Sequence, residues 1–337
     1  MPHSIEHRLL NLLSAQEWHL DRLYGEYSNE FGSIFKNFKG TPTAAQKRQL
    51  QTMLTKFSDD AQALFTNQIN NSFSISNLQN DELVKSYTKG LEVKETELTK
   101  LLTTNTGAAN AFINRKTAGL DLSKRVWNLT NQTEESLNVL LESGVVNGRS
   151  AKDMAKDIKT YLKEPNKQFR RVRDARGKLV LSTPAQNYNP GQGVYRSSYQ
   201  NALRLSRNEI NIAYRTNDFE RRQKMSFVMG HQVSLSGSHP EYDLCDELVG
   251  SYPKDFKFTG WHVNCLCIST SILLPRDKFK EYLRGGSIDN RHLIKTVPKP
   301  AMDFINDNAE KIKNYKNPPY FIADNFKPTK TGYTPKL

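Results

Sequence analysis

The sequence predicts a mainly α protein: an elongated N-terminal helical bundle, then a smaller α+β C-terminal domain with a Cys/His-pinned loop and an extended tail. Three observations predict it. Apolar residues recur at helical spacing through the first 160 residues. Glycines, prolines and a β-like run interrupt that rhythm after Pro165. All three cysteines, Cys245, Cys265 and Cys267, fall in the C-terminal third. The chain accordingly divides into 1–160, a helical bundle suited to partner docking; 161–285, with a basic arm and the Cys/His motif; and 286–337, a C-terminal helix and extended tail.

The elements follow in order. Ile5, Leu9, Leu12, Leu13, Leu20 and Leu23, with Trp18, make a first helical stripe. Thr41-Pro42-Thr43 is a start signal for a second helix carrying Leu50, Met53, Leu54, Phe57, Ala61, Leu64 and Phe65. A third periodic stretch runs from about Leu78 to Leu102, and a fourth from about Leu122 to Leu141. Gly144 and Gly148 mark a turn, and Ser150 stands where an N-cap belongs, ahead of Ala151 to Leu162. Residues 166–195 read as an arm or hairpin around the run Lys178 to Ser182. A helix is expected over Ser197 to Met225, with Leu203, Ile210, Ala213 and Tyr214 on its inner face. Then come a strand at Val233 to Ser236, a short helix at Arg276 to Leu283, and one helix from about Ala301 to Tyr315. Prolines break up the remaining tail.

The chain has 337 residues, 37% of them hydrophobic, enough for a folded core. It has no apolar run long enough to span a bilayer, so no membrane partner is expected. The N-terminus lacks a basic leader and a continuous apolar stretch, so no secretory leader is expected. The net charge is +13, and most of that excess lies between residues 160 and 230. A localised basic patch is the electrostatic footprint of polyanion binding. Arg170, Arg171, Arg173, Arg176 and Lys178 on the arm, with Arg196 and Arg204 on the following helix, are the candidate non-specific DNA contacts. The plainer alternative is a solvated basic face.

Three clustered cysteines do not make a disulfide framework and point to one shared site. They lie within His239-Pro-Glu-Tyr-Asp-Leu-Cys245 and Gly260-Trp-His262-Val-Asn-Cys265-Leu-Cys267. Zinc takes about four Cys and His ligands in a tetrahedron. Cys245, His262, Cys265 and Cys267 can supply four, and His239 can replace one of them. The alternative is a reduced cysteine cluster packed around Trp261. A bound metal would fix a small loop region that lacks a core of its own. A zinc deaminase would need Pro-Cys-x-x-Cys after His239-Pro-Glu241, and Asn264-Cys265-Leu-Cys267 lacks both the proline and the spacing. A Cys245–His262 nucleophile pair has no oxyanion partner in the sequence, and no phosphate loop is present. Arg207 and Glu209, two apart on one helix, face different directions and are expected to join a buried ion-pair network. Asp243 or Asp246 is the expected partner of Arg207.

The run Arg207-x-Glu209, Tyr214-Arg215, Arg221, Gly230-His-Gln-Val-Ser-Leu-Ser236, His239, Asp243-x-Cys245-Asp246, Gly250 and Trp261-His262-x-x-Cys265-x-Cys267 resembles the signature of the Mu F-like minor head proteins, the phage head morphogenesis family. The resemblance covers about residues 120–275. Two departures stand out. Where the family commonly has Asp-x-Arg-x-Cys-x-x-Cys, only Cys245 remains. Where it commonly has His-Pro-x-Cys-Arg-Cys, this chain reads His262-Val-Asn-Cys265-Leu-Cys267. The resemblance implies a structural rather than an enzymatic role: a minor component of a tailed-phage head, near the portal vertex of the virion and in the host cytoplasm during assembly. Its implied partners are the portal protein, capsid or scaffold proteins, and packaged DNA. The competing expectation is a metal-dependent enzyme or effector carried in the head, either a nuclease or an ADP-ribosyltransferase-like protein.

Overall fold

The computed structural model describes residues 2–38, 42–146, 148–165, 172–180, 183, 186, 188–191, 194–239 and 241–336. The chain is 61% helical, with a long N-terminal helical region and a small C-terminal region of a few antiparallel strands near the cysteine cluster. The expected fold class is the one observed. No helix among the described residues is long and apolar enough to cross a membrane.

The helices α1 (Pro2–Phe35) and α2 (Ala44–Thr88) lead the chain. α2 absorbs both the second expected helix and the start of the third, because no glycine or proline interrupts Ala44–Thr88. It stops at Gly90, whose φ of +73° is the left-handed conformation that glycine supplies beyond a helix end. The rest of the third stretch becomes α3 (Glu95–Leu102), followed by α4 (Ala108–Ile113) and α5 (Leu122–Val146). Ser150 caps α6 (Ala151–Lys163) by accepting from the Asp153 N–H, as its position predicts.

The arm contains a two-stranded hairpin, β1 (Val172–Arg173) with β2 (Leu179–Val180). Its turn is held by the Asp174 carboxylate, which accepts from the N–H groups of Arg176 and Lys178. Helix α7 (Ser198–Lys224) matches its expected bounds, and Leu203, Ile210, Ala213 and Tyr214 are all buried. Beyond it come β3 (Val228–Ser234), α8 (Leu244–Glu247), β4 (Gly250–Tyr252) and β5 (Ile268–Leu273). These strands form one antiparallel sheet in the order β4-β3-β5. The strand begins five residues before the expected Val233, because Val228 pairs with Leu273 and both Val228 and Met229 are buried, Met229 sitting at a register shift. Gly230 is required there: a Cβ would stand 2.7 Å from the Tyr252 carbonyl oxygen.

After α9 (Arg276–Leu283) and a 3₁₀ turn at Asn290–His292, the tail departs from expectation. The single helix over 301–315 is instead two, α10 (Lys299–Asp307) and α11 (Ala309–Lys313), meeting at Asn308. The end is not merely extended. It folds as α12 (Tyr320–Asn325) and a hairpin of β6 (Phe326–Pro328) with β7 (Tyr333–Pro335). Pro319 starts α12 rather than preventing it, because proline suits the first positions of a helix, where no N–H donor is needed.

The chain forms two compact units, neither contiguous in sequence. One gathers Ser14–Asn67 and Ile113–Arg207; it is helical apart from the β1–β2 hairpin, and its core includes Tyr24, which meets Phe57 and Tyr199 edge-on at centroid distances of 5.2 and 5.3 Å. The other gathers Met1–Leu13, Gln68–Phe112 and Asn208–Leu337, and holds the sheet and all three cysteines. The segments 1–160, 161–285 and 286–337 describe sequence character; compactness groups the residues differently.

Candidate metal centre

Two loops of the sheet-bearing unit bring the cysteines together. Asp243 opens α8 with a capping box: its side chain accepts from the Cys245 N–H at 2.6 Å, and the Asp246 carboxylate accepts from the Asp243 N–H at 2.8 Å. That cap fixes Cys245 at the first turn. The second loop turns through Gly260 (φ +114°) and Asn264 (φ +64°), both in the left-handed region. These two turns aim Cys265 and Cys267 back at Cys245.

The three sulfurs lie within 4.8 Å of one another and all three residues are buried. Cys245 Sγ stands 3.9 Å from Cys265 Sγ and 3.1 Å from His262 Nε2. A metal held tetrahedrally at ~2.3 Å from sulfur and ~2.0 Å from nitrogen requires separations of about 3.8 and 3.6 Å. The Cys245–Cys265 separation already suits a tetrahedral ion and His262 Nε2 would move out from Cys245 by a few tenths of an ångström, while the three sulfurs alone make the close ligand group. His262 Nδ1 lies 2.7 Å from the Val263 carbonyl oxygen, which can only accept. Nε2, the nitrogen 3.1 Å from Cys245 Sγ, also lies 3.2 Å from the Asp243 carboxylate. His239 is placed differently. Its Nε2 is 3.0 Å from the Asp246 carboxylate. Its ligand atom, with those of Asp243 and Cys245, forms a second close group that shares Cys245 with the sulfur cluster.

The Cys265 thiol is pushed well below its ordinary value, by hydrogen bonds from Cys245 and Cys267 and by the Arg215 charge. Cys245 is pushed up, first by its hydrogen bond to Cys265 and then by Cys267 and burial. Thiolates are the metal-binding form of cysteine, and Cys265 is the sulfur shifted towards that form.

Arg215 of α7 clamps the loop. Its Nη2 donates to the carbonyls of Cys265 and Cys267 at 2.8 and 2.7 Å, and its Nη1 to Thr259 at 3.3 Å. Its guanidinium also lies over the Phe258 ring, 4.9 Å from the centroid. A Cβ on Gly260 would fall 2.5 Å from Arg215 Nη1, so the loop approaches this arginine only as glycine. Trp261 is buried behind the cluster against Phe258 and Phe321, as the packed-cluster expectation has it.

The remaining expected site residues are scattered. Arg207 does not meet Asp243 or Asp246; it pairs with Glu17 of α1 at 2.6 Å. Arg207 stands two turns before Arg215, about 12 Å along the helix, where α7 meets Glu17 of α1. Glu209 is buried at 1% exposure. Arg173, Arg176 and Lys178 stand exposed on the hairpin, with Arg173 donating to the Gly177 carbonyl. Arg196 and Arg204 are half-buried, Arg204 lying over the Tyr195 ring, and Arg170 and Arg171 fall outside the described residues. A network that sequence reasoning did not single out extends along the same helix face. Arg222 pairs with Asp218 at 2.6 Å and donates to Ser269, Asn80 donates to Asp218, and Arg221 pairs with Asp81 at 2.5 Å. The signal was available: Asn211, Arg215, Asp218 and Arg222 recur every three to four residues, a polar stripe on a helix that is otherwise apolar inside.

No protein-family model, curated protein or solved structure matches the chain.

Proposed function

We propose that the chain is a minor head protein of a tailed bacteriophage, a structural assembly factor that docks to the portal and contacts packaged DNA. One observation carries the reading. Of the signature residues, Arg207 falls in the helical unit and pairs with Glu17, while those from Glu209 to Cys267 fall in the sheet-bearing unit, where Arg215 interlocks with the Cys/His loop. Its charged groups are consumed by internal hydrogen bonds, which suits a scaffold and leaves DNA contact to the exposed hairpin residues Arg173, Arg176 and Lys178. Zinc would be held in the motif by Cys245, Cys265 and Cys267, with His262 beside Cys245 as the fourth donor, and would supply a cross-link between the two loops.

The test combines two measurements. Elemental analysis of the purified chain should return equimolar zinc that is lost in Cys265→Ser. The chain should also be retained in purified virions and bind the portal protein encoded with it. Normal heads formed in its absence, together with no affinity for the portal, would refute the assembly role.

A further inference from the structure

We propose that a cavity between α1 and α6 is a phosphate-binding site, in the helical unit and independent of the assembly role above. The cavity has a volume of about 350 Å³, at the small end of the range for ligand sites. Gly32 and Ala155 form its floor. A Cβ on Gly32 would stand 3.2 Å from the Ala155 carbonyl oxygen, so the two helices approach closely only because this position is glycine. Three lysines line the cavity: Lys36 just past the end of α1, and Lys156 and Lys159, one turn apart on α6, with the Lys159 ammonium reaching towards Gly25. Ser28, Asn29 and Ser33 complete the polar wall, and no lining residue is acidic.

Those lysines are available. The carboxylates on the same helices are largely engaged elsewhere: Glu17 with Arg207, Asp21 with Lys163, Glu26 with Arg22, Asp153 with Ser150 and Asp157 with Arg149. Lys159 keeps only a long 3.9 Å approach to Asp21, and among the described residues Lys36 and Lys156 have no ion pair. Three like charges around a concave wall repel one another, and a bound polyanion relieves that repulsion while replacing water on each ammonium. A tetrahedral oxyanion suits them: lysine is a point-charge binder of phosphate, and Asn29 adds a neutral donor. The sources of such a group are a nucleic-acid backbone and free inorganic phosphate chains.

The experiment titrates the full-length chain with inorganic pyrophosphate, and separately with a mixed-sequence DNA duplex, at low salt. It compares wild type with the double variant Lys156→Gln/Lys159→Gln and with Lys36→Gln. Circular dichroism and melting of the variants should be unchanged, since all three side chains are exposed. The expected result is pyrophosphate binding that weakens about tenfold or more in the double variant, the scale for losing charged hydrogen bonds. Duplex affinity falling in parallel assigns the group to nucleic acid; duplex affinity unchanged assigns it to free phosphate. If neither probe loses affinity in either variant, the proposal is overturned.

Discussion

On the second half of α7, Arg215, Arg221 and Arg222 are only 4%, 1% and 1% exposed, whereas Arg173, Arg176 and Lys178 on the β1–β2 hairpin stand in solvent. Both regions contribute to one basic stretch of sequence, yet the charges do different work. The helix arginines satisfy carbonyls and carboxylates that would otherwise be buried unpaired. The hairpin charges hold little in place and remain available to a polyanion. Local charge density does not distinguish these uses; burial and hydrogen-bond partners do.

The largest test of that contrast is Arg215→Ala. It strips the donors from the carbonyls of Thr259, Cys265 and Cys267, and should lower unfolding free energy by about 3–5 kcal/mol in denaturant titration. Arg215→Lys should recover little, because one ammonium does not reproduce the planar fork. A loss under about 1 kcal/mol would mean that the clamp is not structural. Gly260→Ala should cost roughly 2–3 kcal/mol through its φ of +114° and the clash with Arg215. Combined with Arg215→Ala it should be less than additive, since the clash is then gone. Full additivity would show that the two residues act separately.

His231 sharpens the comparison through pH. It is buried on β3 beside Tyr252, and burial, with the nearby Arg222 charge, holds its imidazole well below the ordinary 6.5. The folded chain keeps the ring neutral while the unfolded chain protonates it near 6.5. Its contribution is therefore present above that pH and is lost as pH falls below it, by at most about 1.4 kcal/mol per unit. Midpoints measured from pH 7 to 5 should drop, and His231→Phe should flatten the slope; an unchanged slope would place the acid sensitivity elsewhere. The smallest stability effect is expected from Arg173→Gln, Arg176→Gln and Lys178→Gln on the hairpin, within about 0.5 kcal/mol each. Their effect should appear instead in DNA binding, where the log–log salt slope falls by about 1 per phosphate contact removed. A cooperative loss of stability there would erase the distinction between the regions.

Much of the fold was legible because its signals are local. The Ser150 cap, the bounds of α7 and α9, and the inner face Leu203, Ile210, Ala213 and Tyr214 follow from neighbours within a few residues. The α2 boundary was misplaced because apolar periodicity weakens near Leu78, while an uninterrupted backbone carries the helix on to Thr88. The β6–β7 hairpin was missed because prolines at its ends obscure pairing between short strands. In the site, the cysteines and His262 were legible from their types and spacing. Arg207 was the wrong arginine for the clamp, since nothing local separates it from Arg215.

The sequence by itself determined the helical character, the positions of the caps and turns, the concentration of positive charge and the chemical types at the cysteine cluster. These depend on backbone preferences and side-chain chemistry within a few residues. Only the tertiary structure decided which arginines are buried, that His262 and His239 both come close to Cys245, and that Gly260 admits Arg215. Each of those is a contact between segments tens of residues apart, where desolvation selects the partner and spacing along the chain carries no record of it.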